Sequence, residues 1–217
     1  APHVGKALSS GQTSWKKGGE PMDKRLFLVG LIEGDLQRKA LLLQKLFAER
    51  YGLYKSSLPQ LHITLEIVEE QSNLEFIQTA VMEAAGELER FPVRATGFAC
   101  FPPPYKSVGL LIEKSREIER AAETLREHLA ERGIESVRPF GTQFIYHLTL
   151  ANTFLADNPW NEKEFLEACS IVDRVKAPLS LVGTVNEIAI WRPLKDAEEM
   201  VVSSFALSEA GAVSKLR

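Results

Sequence analysis

Two of the four histidines in this chain sit in matching surroundings. QLHITLE, at 60–66, places His62 two residues before Thr64, and YHLTLAN, at 146–152, places His147 two residues before Thr149. Neutral imidazole can take a proton from an attacking water or hydroxyl, and imidazolium can give one to a leaving oxygen. A neighbouring threonine hydroxyl can donate a hydrogen bond to a non-bridging phosphoryl oxygen, where charge concentrates in the transition state. Two imidazoles and two hydroxyls around one space therefore suit a phosphodiester. No metal is needed if the leaving group is protonated and the substrate is a strained five-membered cyclic phosphate.

Other readings compete with this one. A histidine with threonine two positions on is commonly just a half-buried strand residue, but the paired occurrence is a roughly one-in-a-hundred coincidence by composition. A metal site would draw on Glu66, expected on the His62 face, yet His-x-x-x-His and Cys-rich spacings are missing and threonine is a poor ligand. No metal and no cofactor are expected. Nucleophilic catalysis lacks a G-x-S-x-G turn.

The motifs must be positioned by strands. Side chains alternate along a strand, so His62 and Thr64 share one face while Ile63 and Leu65 face a core. The same holds for His147 and Thr149 against Leu148 and Leu150. The pattern predicts a strand at 25–32, then a helix from Asp35 as cap to Tyr51 with Leu36, Leu42, Leu43, Leu46 and Phe47 facing the core. The first motif strand follows at 61–68. A helix capped by Asn73 carries Phe76, Ile77, Val81 and Leu88. FPVRATGFACF and SVGLLIE read as strands around the PPPYK turn. A helix over 115–132 buries Ile118, Ala122, Leu125 and Leu129 and stops at Gly133. After the second motif strand, Asn161 and Glu164 have capping-box spacing. Strands near 179–191 and 200–207 close the chain. This order predicts an α+β fold of two similar lobes, each an antiparallel sheet with helices, around a central cleft.

Residues 1–23 are polar and rich in Gly, Ser and Lys. They read as a flexible extension, with Met22 a candidate natural start, ahead of a single bilobal domain at 24–217. The net charge of −3 and pI near 5.9 argue against a general nucleic-acid coat, though one pocket needs only local positive charge. Cys100 and Cys169 lie in apolar surroundings without metal or redox spacing, and two buried free thiols in a reducing cytoplasm are expected. No stretch reaches the ~18 apolar residues of a membrane span.

Around the motifs, Phe101 and Tyr105 could stack on a base and Lys106 could meet a phosphate. The bland reading makes Phe101 core and Tyr105 a turn residue. Phe140 and Gln143 could shape the groove mouth, and Arg192, beside Trp191 and Pro193, is a weaker phosphate contact. Tyr146 should face the core. His128 suits a helix C-terminus and carries no chemistry.

HITL and HLTL, with RLFLVGLI, FACFPPPYKSVGLLIE and VNEIAIWRP, resemble the two-histidine (2H) phosphoesterase superfamily over about residues 25–208. The bacterial and archaeal RNA 2′,3′-cyclic phosphodiesterases, also called 2′-5′ RNA ligases, look most similar. The resemblance implies His62 and His147 as acid and base, Thr64 and Thr149 as phosphate ligands, and metal-independent opening of 2′,3′-cyclic phosphates, in some members with reversible 2′-5′ ligation. The partner it implies is a nucleotide or RNA end carrying a cyclic phosphate, handled by a monomer away from membranes. Tyr146 and Asn152 depart from the family's Pro before and Ala-Arg after the second motif. Losing that arginine favours a smaller nucleotide over a long RNA backbone. Cyclic oligonucleotides, an ADP-ribose cyclic phosphate, or binding without turnover are the alternatives.

Overall fold

Apolar alternation and well-placed breakers divide the described residues into seven strands and four helices in the expected order, plus one short helical turn. A computed structural model describes residues 25–55, 57–69, 73–138, 144–175, 179–194 and 197–209. The elements are β1 (Arg25–Glu33), α1 (Asp35–Tyr51), β2 (His62–Glu69), α2 (Leu74–Glu87), β3 (Phe91–Phe101), β4 (Ser107–Ile112), α3 (Arg116–Ala130), β5 (His147–Ala151), α4 (Glu162–Asp173), β6 (Leu181–Trp191), α5 (Ala197–Met200) and β7 (Val201–Ala206). The expected extension at 1–23 lies outside the described residues, as do Phe140 and Gln143.

All strands join one antiparallel sheet in the order β1-β2-β5-β4-β3-β6-β7, and β1 also pairs with β6. Six strands therefore close on themselves, and β7 flanks β6. The sheet has two halves that share β6. Residues 181–185 of β6 pair with β3, whereas 187–191 pair with β7. The motif strands β2 and β5 are the junction between the halves, meeting where Ile63 lies opposite Leu148.

The repeat hinted at by the two motifs runs through most of the chain. β1-α1-β2-α2-β3 is followed by β4-α3-β5-α4-β6. Each unit places its last strand in the other: β3 pairs with β4, and β6 pairs with β1. Even the irregularities correspond. The β1–β2 ladder shifts between Leu28 and Val29, and β4–β5 shifts between Val108 and Gly109. The β1–β6 ladder shifts between Leu31 and Ile32, where the β3–β4 ladder shifts between Ala95 and Gly97.

One large core fills the space between sheet and helices, including Leu26, Leu28, Ile63, Leu65, Leu110, Leu148 and Leu150. A smaller cluster of Val29, Ala189, Trp191 and Met200 stands apart from it. On α3 the expected stripe is buried, and Gly133 takes the left-handed conformation after it (φ 68°). The Asn161–Glu164 capping box is formed.

Three groups of expectations, on the α1 cap, on the helix stripes and on the cysteines, require correction. In α1, Gly34 rather than Asp35 holds the cap position, at φ 91° where a Cβ would be strained, and Asp35 instead pairs with Lys39 in the first turn. The buried face of α1 is Leu36, Ala40, Gln44, Phe47 and Ala48, while Leu42 and Leu46 are 60% and 62% exposed. Counting leucines misjudged the stripe because two alanines and a glutamine supply the close-packed face; likewise Phe76 of α2 is exposed beside buried Ala80 and Ala84. The third correction concerns the cysteines. They are not free thiols: Cys100 on β3 and Cys169 on α4 form a disulfide, with Cα atoms 5.8 Å apart. The packing of α4 on β3 creates that proximity, which no spacing in the sequence displays.

Candidate active site

His62 and His147 are each the first residue of their strand. The antiparallel pairing of Ile63 with Leu148 sets His62 beside Thr149 and Thr64 beside His147. Ile63 and Leu148 point into the core, so the four polar side chains share the opposite face, all of them half-buried. The sheet junction thus gathers the two imidazoles and two hydroxyls onto one patch.

The rings are oriented in the same way. Nδ1 of His62 lies 3.0 Å from the carbonyl oxygen of Gln60, and Nδ1 of His147 lies 2.9 Å from that of Ile145. A carbonyl only accepts, so each Nδ1 carries the proton and each neutral Nε2 keeps its lone pair. An aromatic ring braces each imidazole: Trp191 at 4.4 Å from His62 and Phe101 at 4.5 Å from His147, centroid to centroid. These rings end β6 and β3, the two strands placed in the opposite unit.

Enclosure by apolar neighbours disfavours the charged form. Burial pushes His62 down to about 4, opposed by its hydrogen bond to Gln60 and reinforced by repulsion from His147. Burial also holds His147 below 6.5, against the hydrogen bond to Ile145. A proton placed on one ring disfavours a proton on the other, which suits a pair working as one acid and one base.

Trp191 beside His62 went unanticipated. A signal existed: β3 ends in Phe101-Pro102 and β6 in Trp191-Arg192-Pro193, an aromatic residue closing each strand just before a proline. Phe101 is half-buried against His147 rather than standing free. Tyr105 is 45% exposed on the β3–β4 turn. Lys106 is turned away to α4, where its ammonium lies 3.0 Å from Glu162, and its carbonyl accepts from the Trp160 indole. Asn152 caps the following turn by accepting from the Leu155 amide. Tyr146 is in the core, as expected, and His128 sits in the last turn of α3 among Glu83, Glu87 and Glu131.

Glu66 does not lie on the His62 face. The shift in the β1–β2 ladder at Leu28/Val29 leaves Leu65 as an extra residue and reverses the alternation beyond it. Glu66 is therefore fully buried on the core side, paired with Arg126. Among the described residues no cluster of three His, Cys, Asp or Glu side chains forms a metal site.

A closed antiparallel sheet carrying paired His-x-Thr strands at its junction defines the class of protein. The family model for the 2′-5′ RNA ligase superfamily matches residues 36–197, and the chain belongs to that superfamily, the 2H phosphoesterases. The fold is shared with TT0787 of Thermus thermophilus, at a TM-score of 0.59 and 20% identity over 86% of this chain and 99% of that one. Escherichia coli LigT complexed with 3′-AMP gives 0.50 and 18% over 86% and 99%. A structure described as a phosphoesterase gives 0.50 and 17% over the same shares. No curated protein matches the chain.

Proposed function

We propose that this protein is a cyclic phosphodiesterase that opens 2′,3′-cyclic phosphates of nucleotides or RNA ends by paired histidine acid–base catalysis. The observation that carries this reading is the matched pair of imidazoles, each tied through Nδ1 to the carbonyl two residues back, on a face shared with Thr64 and Thr149.

In the reaction, one neutral Nε2 takes a proton from water as its oxygen attacks phosphorus. The bond from phosphorus to one ribose oxygen breaks, and the other histidine, protonated, gives its proton to that departing oxygen. The product is a ribose monophosphate and the dyad ends with its proton exchanged between rings. Thr64 and Thr149 donate to the non-bridging oxygens. No step requires a metal or a cofactor. With a ribose 5′-hydroxyl attacking in place of water, the same exchange would open the cyclic phosphate into a 2′-5′ linkage, the 3′ oxygen leaving with the donated proton. Phe101 acts as the brace of His147, and the exposed Tyr105 ring is the remaining candidate platform for a base. Lys106, neutralised by Glu162, drops out as a phosphate ligand. The LigT structure with 3′-AMP supports a nucleotide-sized substrate, as does Asn152 at the position expected for arginine. The same reading has the protein act as a monomer. No helix among the described residues is long and apolar enough to cross a membrane.

The test is a chelator-treated assay of wild type and the His62→Ala/His147→Ala double variant on 2′,3′-cyclic nucleotides, cyclic oligonucleotides, an ADP-ribose cyclic phosphate, and 2′-5′ and 3′-5′ linked dinucleotides. Turnover of the 2′,3′-cyclic substrates by wild type, abolished in the double variant, is the expected result. Retention of substrate without product would make the protein a binding module, and equal turnover by both forms would remove the histidines from the chemistry.

A further inference from the structure

Although the site spans the junction of β2 and β5, the backbone ties there are few. The β1–β2 and β4–β5 ladders run along their strands, whereas β2 and β5 meet at Ile63 and Leu148. Beyond that point β5 parts from β2, and its place is taken by the segment after α3. Ser136 bridges Val68, and the Val137 amide donates to the Ile67 carbonyl at 2.9 Å.

Behind this junction lies a charged network in an otherwise apolar core. The Glu66 carboxylate, fully buried, accepts from Arg126 Nε at 3.1 Å, from the Ser136 hydroxyl and from the Ile67 amide. Arg138, 6% exposed, has Nε 3.5 Å from the same carboxylate. Its Nη1 donates to the Tyr146 hydroxyl at 2.9 Å, and that hydroxyl donates to Glu119 at 2.7 Å. The guanidinium also lies 4.4 Å from the centre of the Phe144 ring. Arg138 therefore meets β2 through an ion pair with Glu66, four residues past His62, in which its buried Nε makes no hydrogen bond, and holds the entry to β5 through a hydrogen bond to Tyr146, the residue before His147.

The repeat supplies an internal comparison. The position equivalent to Glu66 is Ala151, and that equivalent to Tyr146 is Leu61, both buried and apolar. One unit of the fold fills these places without charge, so packing alone does not demand the network. A buried ion pair is commonly replaceable by apolar residues without loss of stability, while breaking one half of it is destabilising. What apolar packing would not supply is an electrostatic link between the two motif strands, an ion pair at the Glu66 end and a directional hydrogen bond at the Tyr146 end.

We propose that Arg138, together with Glu66 and Tyr146, is a positioning device that fixes the separation of the two site imidazoles from behind the sheet. It rests on the reading of His62 and His147 as a working pair. Misplacing a reacting group by about 1 Å can lower turnover on the order of 10²-fold while substrate binding persists.

The experiment compares Arg138→Met with the double variant Glu66→Leu/Arg138→Met. The single change leaves Glu66 short of a partner and lowers Tm. The double change removes that charge and restores Tm, with Arg126 still able to reach solvent. Turnover of a 2′,3′-cyclic nucleotide should stay reduced on the order of 10²-fold in the double variant, with KM changed less than about twofold. A purely structural role predicts that turnover recovers with Tm, and that result overturns the proposal. The titrations of His62 and His147, followed by NMR, give a second reading that needs no substrate. Weaker mutual influence of the two rings in the double variant supports the device, and unchanged influence overturns it. If wild type turns over no cyclic phosphate, the proposed function fails while the histidine titrations still decide the role of Arg138.

Discussion

At the scale of single residues, the site is two copies of one local solution. A strand begins at histidine, the carbonyl two residues back takes the Nδ1 proton, and threonine follows on the same face. Replacing His62 or His147 with alanine should each lower turnover ~10²–10⁴-fold, the range for one acid or base. Thr64→Ala or Thr149→Ala should cost up to ~10²–10³-fold in kcat, measured under saturating substrate. Because both imidazoles are held below 6.5, the bell of kcat/KM against pH should centre on the acid side of 6.5. An alkaline optimum would contradict the enclosure of the rings. The same burial has a consequence for folding. Between pH 6.5 and about 4 the unfolded chain binds a proton at position 62 that the folded chain refuses, so stability falls as pH falls through that window. Urea titrations at pH 7 and pH 4.5 should show the loss, and His62→Gln should lessen it.

At the scale of elements, matching ladder shifts in β2 and β5 turn the chain from site face to core within one residue. They explain why Thr64 and Thr149 remain on the patch while Glu66 and Ala151 are withdrawn from it. In the second motif the close approach of β4 and β5 depends on Gly109, where an added Cβ would lie 2.7 Å from the Leu148 carbonyl oxygen. Gly109→Ala should therefore cost about 1–3 kcal/mol by overpacking and displace Thr149. Denaturant unfolding checks the first effect and the kcat of the folded variant the second. Asn161→Ala, at the N-terminus of α4, should cost about 1 kcal/mol by removing the capping box and leave turnover unchanged.

At the scale of the whole molecule, each unit completes the other. β3 carries Phe101 to His147 within the second half-sheet, and β6 carries Trp191 to His62 within the first. Neither half brings its imidazole and its brace together without the exchange. The Cys100–Cys169 bond fastens α4 to β3 one residue from Phe101 and closes a long loop, with the two cysteines 69 residues apart. Reduction, or the Cys100→Ser/Cys169→Ser double variant, should lower stability by about 2–4 kcal/mol, read as a shift of the urea midpoint with and without reductant.

How far the sequence spoke depended on the range of the interactions involved. Element order, the shared face of each histidine and its threonine, the α3 stripe and the Asn161 capping box were all legible, because alternation, helical period and caps depend on neighbours within a few positions. The leucines of α1 misled because burial depends on which face meets the sheet, and small residues pack closest there. Only tertiary structure decided that β2 and β5 abut, that the units exchange strands, that Glu66 turns inward, and that the cysteines are bonded. Those outcomes depend on contacts between residues tens of positions apart, and they require the sheet to close before any local pattern can reveal them.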